Sequence, residues 1–195
     1  MMKQLLFRGM ATALVTPMHP DGSVDLQTLA RLTEWQIQSG AAALVPCGTT
    51  GEAATLTLQE RTTVIRTVAG TASGRVPVIA GAGCNDTARA LENCKSAAAA
   101  GADALLLVTP YYNKASQTGL IKHYEYIAER IEQLFIHIFH KSRILFGCCR
   151  LFLLGQLDAE FAASAHERVT GAGEREHVHA VRVGDEVSAL KQHVD

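Results

Sequence analysis

Apolar residues over the first 130 positions follow two alternating rhythms. Short, nearly uninterrupted apolar runs occur at Ala11-Thr12-Ala13-Leu14-Val15, Ala43-Leu44-Val45, Val76-Pro77-Val78-Ile79-Ala80 and Leu105-Leu106-Leu107-Val108. Between them, apolar positions recur at helical spacing, as Leu26, Leu29, Leu32 and Trp35 do. The first rhythm predicts buried strands and the second predicts amphipathic helices.

The helices carry their own end signals. Asp25 caps the first and Ser39-Gly40 stops it. Thr57-Leu58-Gln59-Glu60 is a capping box, in which the threonine hydroxyl bonds the N3 amide while Glu60 reaches back. That helix is expected to end near Gly70. Asp86 caps a third helix running through Ala97 to Gly101, and a fourth covers Gln117 to Arg130. Trp35 is expected in the core or in helix packing.

Strand–helix units thus recur with a period of roughly thirty residues. Strands that are apolar throughout, rather than alternately, are covered on both faces, as parallel strands wrapped by helices are. Two architectures remain, an open doubly wound sheet and a (β/α)₈ barrel. Both place their sites where the polar clusters fall, after the strand C-termini. No Gly-x-Gly-x-x-Gly follows the first strand, and Gly81-Ala82-Gly83 is only a fragment of it. The barrel is the favoured reading: α/β, the N-terminal half of a (β/α)₈ barrel with about four units.

The chain divides at residue 133. Residues 1–133 form the partial barrel and 134–195 a tail of different character. All five prolines lie before residue 111, and six of the eight histidines come after residue 134. Phe135 to His140 reads as a fifth strand, with a helix near 159–169 and a short strand near 178–183. So abrupt a change is what a shifted reading frame produces.

Composition narrows the functional classes. A net charge of −1 argues against a nucleic-acid or anionic-membrane surface. Arg8 interrupts the apolar N-terminus, so a signal peptide is not expected. No apolar run approaches the roughly 20 residues of a membrane span. The five cysteines show no Cys-x-x-Cys spacing and read as free thiols in a reducing cytoplasm. Cys148-Cys149 reads as a pair of apolar fillers. His177 and His179 would share one strand face, but no third metal ligand accompanies them. No metal or cofactor is expected.

The candidate chemistry lies at two strand ends. Cys47-Gly48-Thr49-Thr50-Gly51-Glu52 places two hydroxyls and free backbone N–H groups at one point. Such a point suits a small carboxylate, which takes two or three oriented donors, and hydroxyls can pass protons without placing a charge in the site. Thr109-Pro110-Tyr111-Tyr112-Asn113 is the second point.

These segments, with Ala13-Leu14-Val15-Thr16-Pro17-Met18, Val78 to Gly83, and Ser116-Gln117 with Gly119-Leu120, resemble the dihydrodipicolinate synthase family. That family comprises pyruvate-dependent (β/α)₈ aldolases, which are lyases, and the resemblance covers residues 8 to about 131. Thr-Pro-Tyr-Tyr-Asn is similar to the synthase branch rather than the sialic-acid lyase branch. The resemblance implies that pyruvate forms an imine with a lysine and condenses with aspartate semialdehyde, on the route to diaminopimelate and lysine. It also implies a cytoplasmic homo-oligomer. Thr49 and Tyr112 would belong to a proton relay, the tyrosine reaching into a neighbouring subunit. Thr50 would bind the pyruvate carboxylate. Asn85, Arg89 and Tyr111 would border an allosteric lysine pocket. There Arg89 stands where lysine-sensitive members often carry an acid, and would repel the ligand's amino group.

The resemblance stops at the tail. An ungapped continuation sets Ile138-Phe139-His140-Lys141-Ser142-Arg143 against the family's Tyr-Asn-x-Pro-x-Arg, so that only Arg143, the residue at the site entrance, matches. The same continuation puts His166 where the imine-forming lysine belongs, and an imidazole forms no imine with a ketone. Lys141 and Lys191 are the only lysines after residue 122, and neither has a matching context. The chain is therefore expected to be inactive. The alternatives are a non-catalytic remnant that pairs with intact subunits through Tyr111 and Tyr112, or a pyruvate aldolase with another acceptor.

Overall fold

The computed structural model describes residues 6–131 and, as backbone alone, a strand at 134–138. Strands and helices alternate without exception: β1 Ala11–Ala13, α1 Leu26–Gln38, β2 Ala43–Val45, α2 Leu58–Ala72, β3 Ile79–Gly81, α3 Thr87–Ala99, β4 Ala104–Val108, α4 Gln117–Ala128 and β5 Leu134–Ile138.

All the strand pairs are parallel. β1 pairs with β2, β3 with β4 and β4 with β5. A parallel bridge between Leu44 and Val78 carries the order across from β2 to β3. Strand order therefore equals chain order. A doubly wound sheet reverses direction at a switch point; a barrel never does. This order settles the choice between the two architectures in favour of the barrel.

The helix ends follow the side chains that the sequence offers. Asp25 accepts from the Thr28 N–H at 2.9 Å, Asp86 from the Arg89 N–H at 2.7 Å and Ser116 from the Gly119 N–H at 3.1 Å. The capping box is complete: Thr57 Oγ1 accepts from the Glu60 N–H at 3.2 Å, while Glu60 Oε2 accepts from the Thr57 N–H at 2.8 Å.

Several boundaries shift, α3 and α4 each ending two residues early, at Ala99 and Ala128. The second helix continues past Gly70 to Ala72 and stops at Ser73, which adopts a left-handed φ of +48°. The third strand begins later than its apolar run because Pro77 has no N–H to donate, while Val78 N–H turns to the Asp103 carboxylate at 2.8 Å. β1 is shorter than its apolar run, ending at Ala13. The fifth strand spans Leu134–Ile138, and Phe139 and His140 lie outside the described residues.

Strand side chains split between two apolar layers. Leu14, Leu44, Val78, Ala80, Leu105 and Leu107 face the helices, where Leu29, Val64, Val68 and Ile127 meet them. Ala43, Val45, Ile79 and Ala104 face the inner side of the arc and are covered by Leu6, Phe7 and Leu106. Trp35 departs from expectation. It is 59% exposed, because Leu29 and Thr33 supply the buried stripe of α1.

Candidate functional site

The loop after β2 is built to hold its tip outward. Gly51 N–H donates to Gly48 O at 3.1 Å, closing a turn with Thr49 and Thr50 at its corner. The next turn closes through Glu52 N–H to Thr49 O at 3.1 Å. Cys47 and Glu52 flank these turns with φ of +55° and +54°, a conformation that side chains rarely adopt and that marks a constrained loop. Both threonines are exposed. Among the described residues, neither their hydroxyls nor their backbone N–H groups donate to another group. Four donors without partners among the described residues therefore lie on two adjacent residues of one exposed turn.

What fixes the tip is close backbone packing. The buried Thr16 at the end of β1 donates its hydroxyl to Gly51 O at 2.7 Å. A Cβ on Gly81 would come within 2.0 Å of Cys47 O and 2.8 Å of Gly48 N. Arg61, reaching in from α2, donates to Gly81 O at 2.7 Å. The next rim segment is locked in the same way, since a Cβ on Gly83 would come within 2.5 Å of Val108 N. The loops after β3 and β4 are joined by Asn113 Nδ2, which donates to Asn85 O at 2.9 Å. Together these contacts form a stitched rim at the C-terminal end of the sheet. Thr16 stood within a matching segment but carried no sequence signal of this role. Arg61 had none at all, since its partner is a backbone carbonyl 20 residues away.

Burial holds two thiols, Cys47 after β2 and Cys94 on α3, in the protonated form. Burial pushes Cys47 up to about 11, offset only in part by Arg61, and Cys94 up to about 12 for the same reasons. Both stay protonated at neutral pH, so neither is a nucleophile.

Tyr112 stands apart. It is 97% exposed and holds a φ of +73°, so a constrained backbone projects its ring away from the described fold. No described contact joins it to Thr49 or Thr50. Tyr111 is 48% exposed on the same loop. Asn85 is half-buried against Asn113, and Arg89 is exposed in the first turn of α3. Arg143, Lys141, His166, His177, His179, Lys191 and the Cys148-Cys149 pair lie outside the described residues. Among the described residues, no cluster of three or more potential metal ligands occurs, and no helix is long and apolar enough to cross a membrane.

Comparison with known proteins bears on these features. The model of the Dihydrodipicolinate synthetase family matches residues 6–137. The chain belongs to that family. Among curated relatives, the 4-hydroxy-tetrahydrodipicolinate synthase of Jannaschia sp. (strain CCS1) is 54% identical over 132 residues, 68% of this chain and 45% of the relative. That of Anaeromyxobacter dehalogenans (strain 2CP-C) is 58% identical over 121 residues, 62% of this chain and 41% of the relative. Among solved structures, the chloride-inhibited dihydrodipicolinate synthase of Acinetobacter baumannii, complexed with pyruvate, is 50% identical, with a TM-score of 0.65 over 66% of this chain and 44% of that one.

The dihydrodipicolinate synthetase family is a family of lyases, and its solved members show the described strands and helices to be part of a (β/α)₈ barrel. The chain spans less than half the length of the two curated relatives named, 45% and 41%. The matched region ends at residue 137, within the fifth strand.

Proposed function

We propose that the Gly48–Gly51 turn holds the carboxylate of pyruvate. In this reading the Thr50 hydroxyl and N–H are the donors, and Thr49 lies beside them at the head of a proton relay. The observation that carries it is the set of four donors at one exposed tip, held by Thr16 and by the close approach of Gly81. Oriented N–H and O–H groups bind an anion more strongly than a neutral acceptor. Tyr112 completes the relay by entering the site of a neighbouring subunit, a role supported by its near-complete exposure. The family reaction, condensation of a pyruvate imine with aspartate semialdehyde, also needs a primary amine at the imine position. This chain puts His166 at the corresponding place in an ungapped continuation. It therefore binds the carboxylate but does not turn over.

Two measurements test the two halves of this reading. Adding pyruvate should shift the amide resonances of Thr49 and Thr50, and the uncharged pyruvamide should not. Equal shifts from both, or none from pyruvate, would refute the carboxylate site. Treatment with pyruvate and borohydride followed by intact mass should leave the chain unmodified. A pyruvyl adduct would show that an imine-forming amine is present after all.

A further inference from the structure

Arg61 brings a charge to the rim that no described carboxylate neutralises. Its guanidinium is half-buried and donates to Gly81 O at 2.7 Å, which commits one of its five N–H groups to a neutral acceptor. The ion pairs among the described residues lie elsewhere, joining His19 to Asp25, Arg75 to Glu34 and Arg130 to Glu129. Holding Gly81 O in place needs a donor but not a charge, and a neutral amide would supply one. The charge is therefore left over once the structural role is filled.

That charge lies beside the base of the Gly48–Gly51 turn. A Cβ on Gly81 would come within 2.8 Å of Gly48 N, and Gly81 N–H donates to Pro46 O at 2.9 Å. Bond lengths then keep the guanidinium within about 10 Å of the Gly48 amide. Two thiols register the same field: burial pushes Cys47 and Cys94 up, and Arg61 pulls both back in part. The negative groups nearby are felt more weakly at the turn. Glu52 is exposed, so water and salt screen it. The Glu60 carboxylate turns back onto the Thr57 N–H at 2.8 Å and the Thr57 hydroxyl at 2.7 Å, where the start of α2 offsets its charge. At about 10 Å, a unit charge alters affinity for a monoanion by about two- to tenfold, according to how much water lies between.

We propose that Arg61 gives the Gly48–Gly51 turn a positive potential, and that this potential makes the turn select an anion over a neutral acceptor of the same shape. The hydroxyls and N–H groups of Thr49 and Thr50 fix where the ligand sits; Arg61 fixes its sign. Arg61 touches no ligand in this account and is a specificity-determining residue rather than a catalytic one. The inference deepens the carboxylate reading and rests on it for the identity of the anion, whereas the potential itself exists without pyruvate.

Amide exchange reads the potential with no ligand present, because hydroxide-catalysed exchange passes through an amide anion that a nearby cation stabilises. In the full chain at low salt, water-exchange NMR should show the Thr49 and Thr50 amides about two- to fivefold slower in Arg61→Gln than in the parent. Arg61→Lys keeps the charge and should keep the parent rates. In the parent itself both rates should fall as salt rises from about 10 mM to about 500 mM, while those of a blocked Gly-Thr-Thr-Gly peptide stay level. This salt arm needs no substitution, so it decides the matter even where Arg61→Gln fails to fold. Pyruvate affinity, followed through the same two amides, should weaken about two- to fivefold in Arg61→Gln and hold in Arg61→Lys. Parent exchange rates in Arg61→Gln, or parent rates that ignore salt, would overturn the proposal. Equal losses in both variants would do the same, reducing Arg61 to a donor for Gly81 O. Slower exchange in Arg61→Gln with no pyruvate response in any of the proteins would uphold the potential and refute the pyruvate reading alone.

Discussion

Gly81→Ala is the sharpest test of how the rim is held. A Cβ at this position would sit 2.0 Å from Cys47 O and 2.5 Å from its carbonyl carbon. Both obstructing atoms are backbone, so no side chain can rotate away, and the β2 loop or strand β3 must shift. Overpacking of this kind costs about 1–3 kcal/mol. The shift also strains two hydrogen bonds, Gly81 N–H to Pro46 O at 2.9 Å and Arg61 to Gly81 O at 2.7 Å. At roughly 1 kcal/mol net for each of those bonds, the total loss is about 3–5 kcal/mol. Domains of this kind have a stability of roughly 5–15 kcal/mol, so the loss is severe. Thermal denaturation should show a midpoint lowered by about 6–20 °C. The control is Gly48→Ala, where the nearest atom to the new Cβ is Val45 Cγ1 at 3.8 Å, an ordinary contact. That variant should stay within about 0.5 kcal/mol of the parent. Gly51→Ala, with Leu14 O at 3.0 Å, should fall between the two. Equal midpoints for Gly81→Ala and Gly48→Ala would refute the account of the rim.

Thr16→Val keeps the side-chain shape but leaves Gly51 O without its 2.7 Å donor, and urea titration should report a loss of about 1–3 kcal/mol. Thr57→Ala removes half of the capping box and should cost about 0.5–2 kcal/mol in the same titration. His123 makes stability depend on pH. Burial lowers its pKa below 6.5 against a smaller opposing pull from Asp86, while its Nδ1 lies 2.8 Å from Thr87 Oγ1 and its buried Nε2 has no partner among the described residues. The unfolded chain therefore takes up the proton first. Stability should be full above pH 6.5 and fall as pH drops from there toward the folded-state value. His123→Gln should flatten that slope in denaturation midpoints measured between pH 7 and 5, and an unchanged slope would exonerate His123.

Local signals with a short reach were legible in the sequence. Asp25, Thr57 and Asp86 cap helices through partners three residues away, so their signatures lie within one window; Ser116 caps α4 in the same way. The Gly48–Gly51 turn belongs to the same class. Contacts that close over long separations were not legible. Thr16 meets Gly51 across 35 residues, and Gly81 meets Cys47 only because two strands lie side by side. Pro77 shows the limit of apolar runs as strand markers, since it sits in one but cannot donate to the ladder. Trp35 fell on the apolar spacing of α1 yet stays exposed, because Leu29 and Thr33 already fill the stripe against the sheet. Periodicity identifies a face without saying how wide it is.

The residues that reveal the family fall into two physical kinds, and the distinction bears on what the motif proves. Thr16, Gly51, Gly81 and Gly83 are held by packing: each occupies a place where another side chain would collide with backbone or leave a buried carbonyl unpaired. A chain that folds this way needs them whether or not it catalyses anything. Thr49, Thr50 and Tyr112 are the reverse. They are exposed, and no described hydrogen bond uses their side chains, so the fold in isolation gains little from them. In the proposed reading, their value lies with what approaches from outside, a carboxylate at the turn and a neighbouring subunit at the tyrosine. The first kind is evidence for lineage and architecture. The second kind is evidence for binding. In the proposed reading it supplies the anion-holding and proton-passing groups, but neither kind contains an amine. In the reading proposed above, the Gly-Thr-Thr-Gly turn can therefore be intact in shape and competent to bind a carboxylate whether or not a residue elsewhere carries the covalent step.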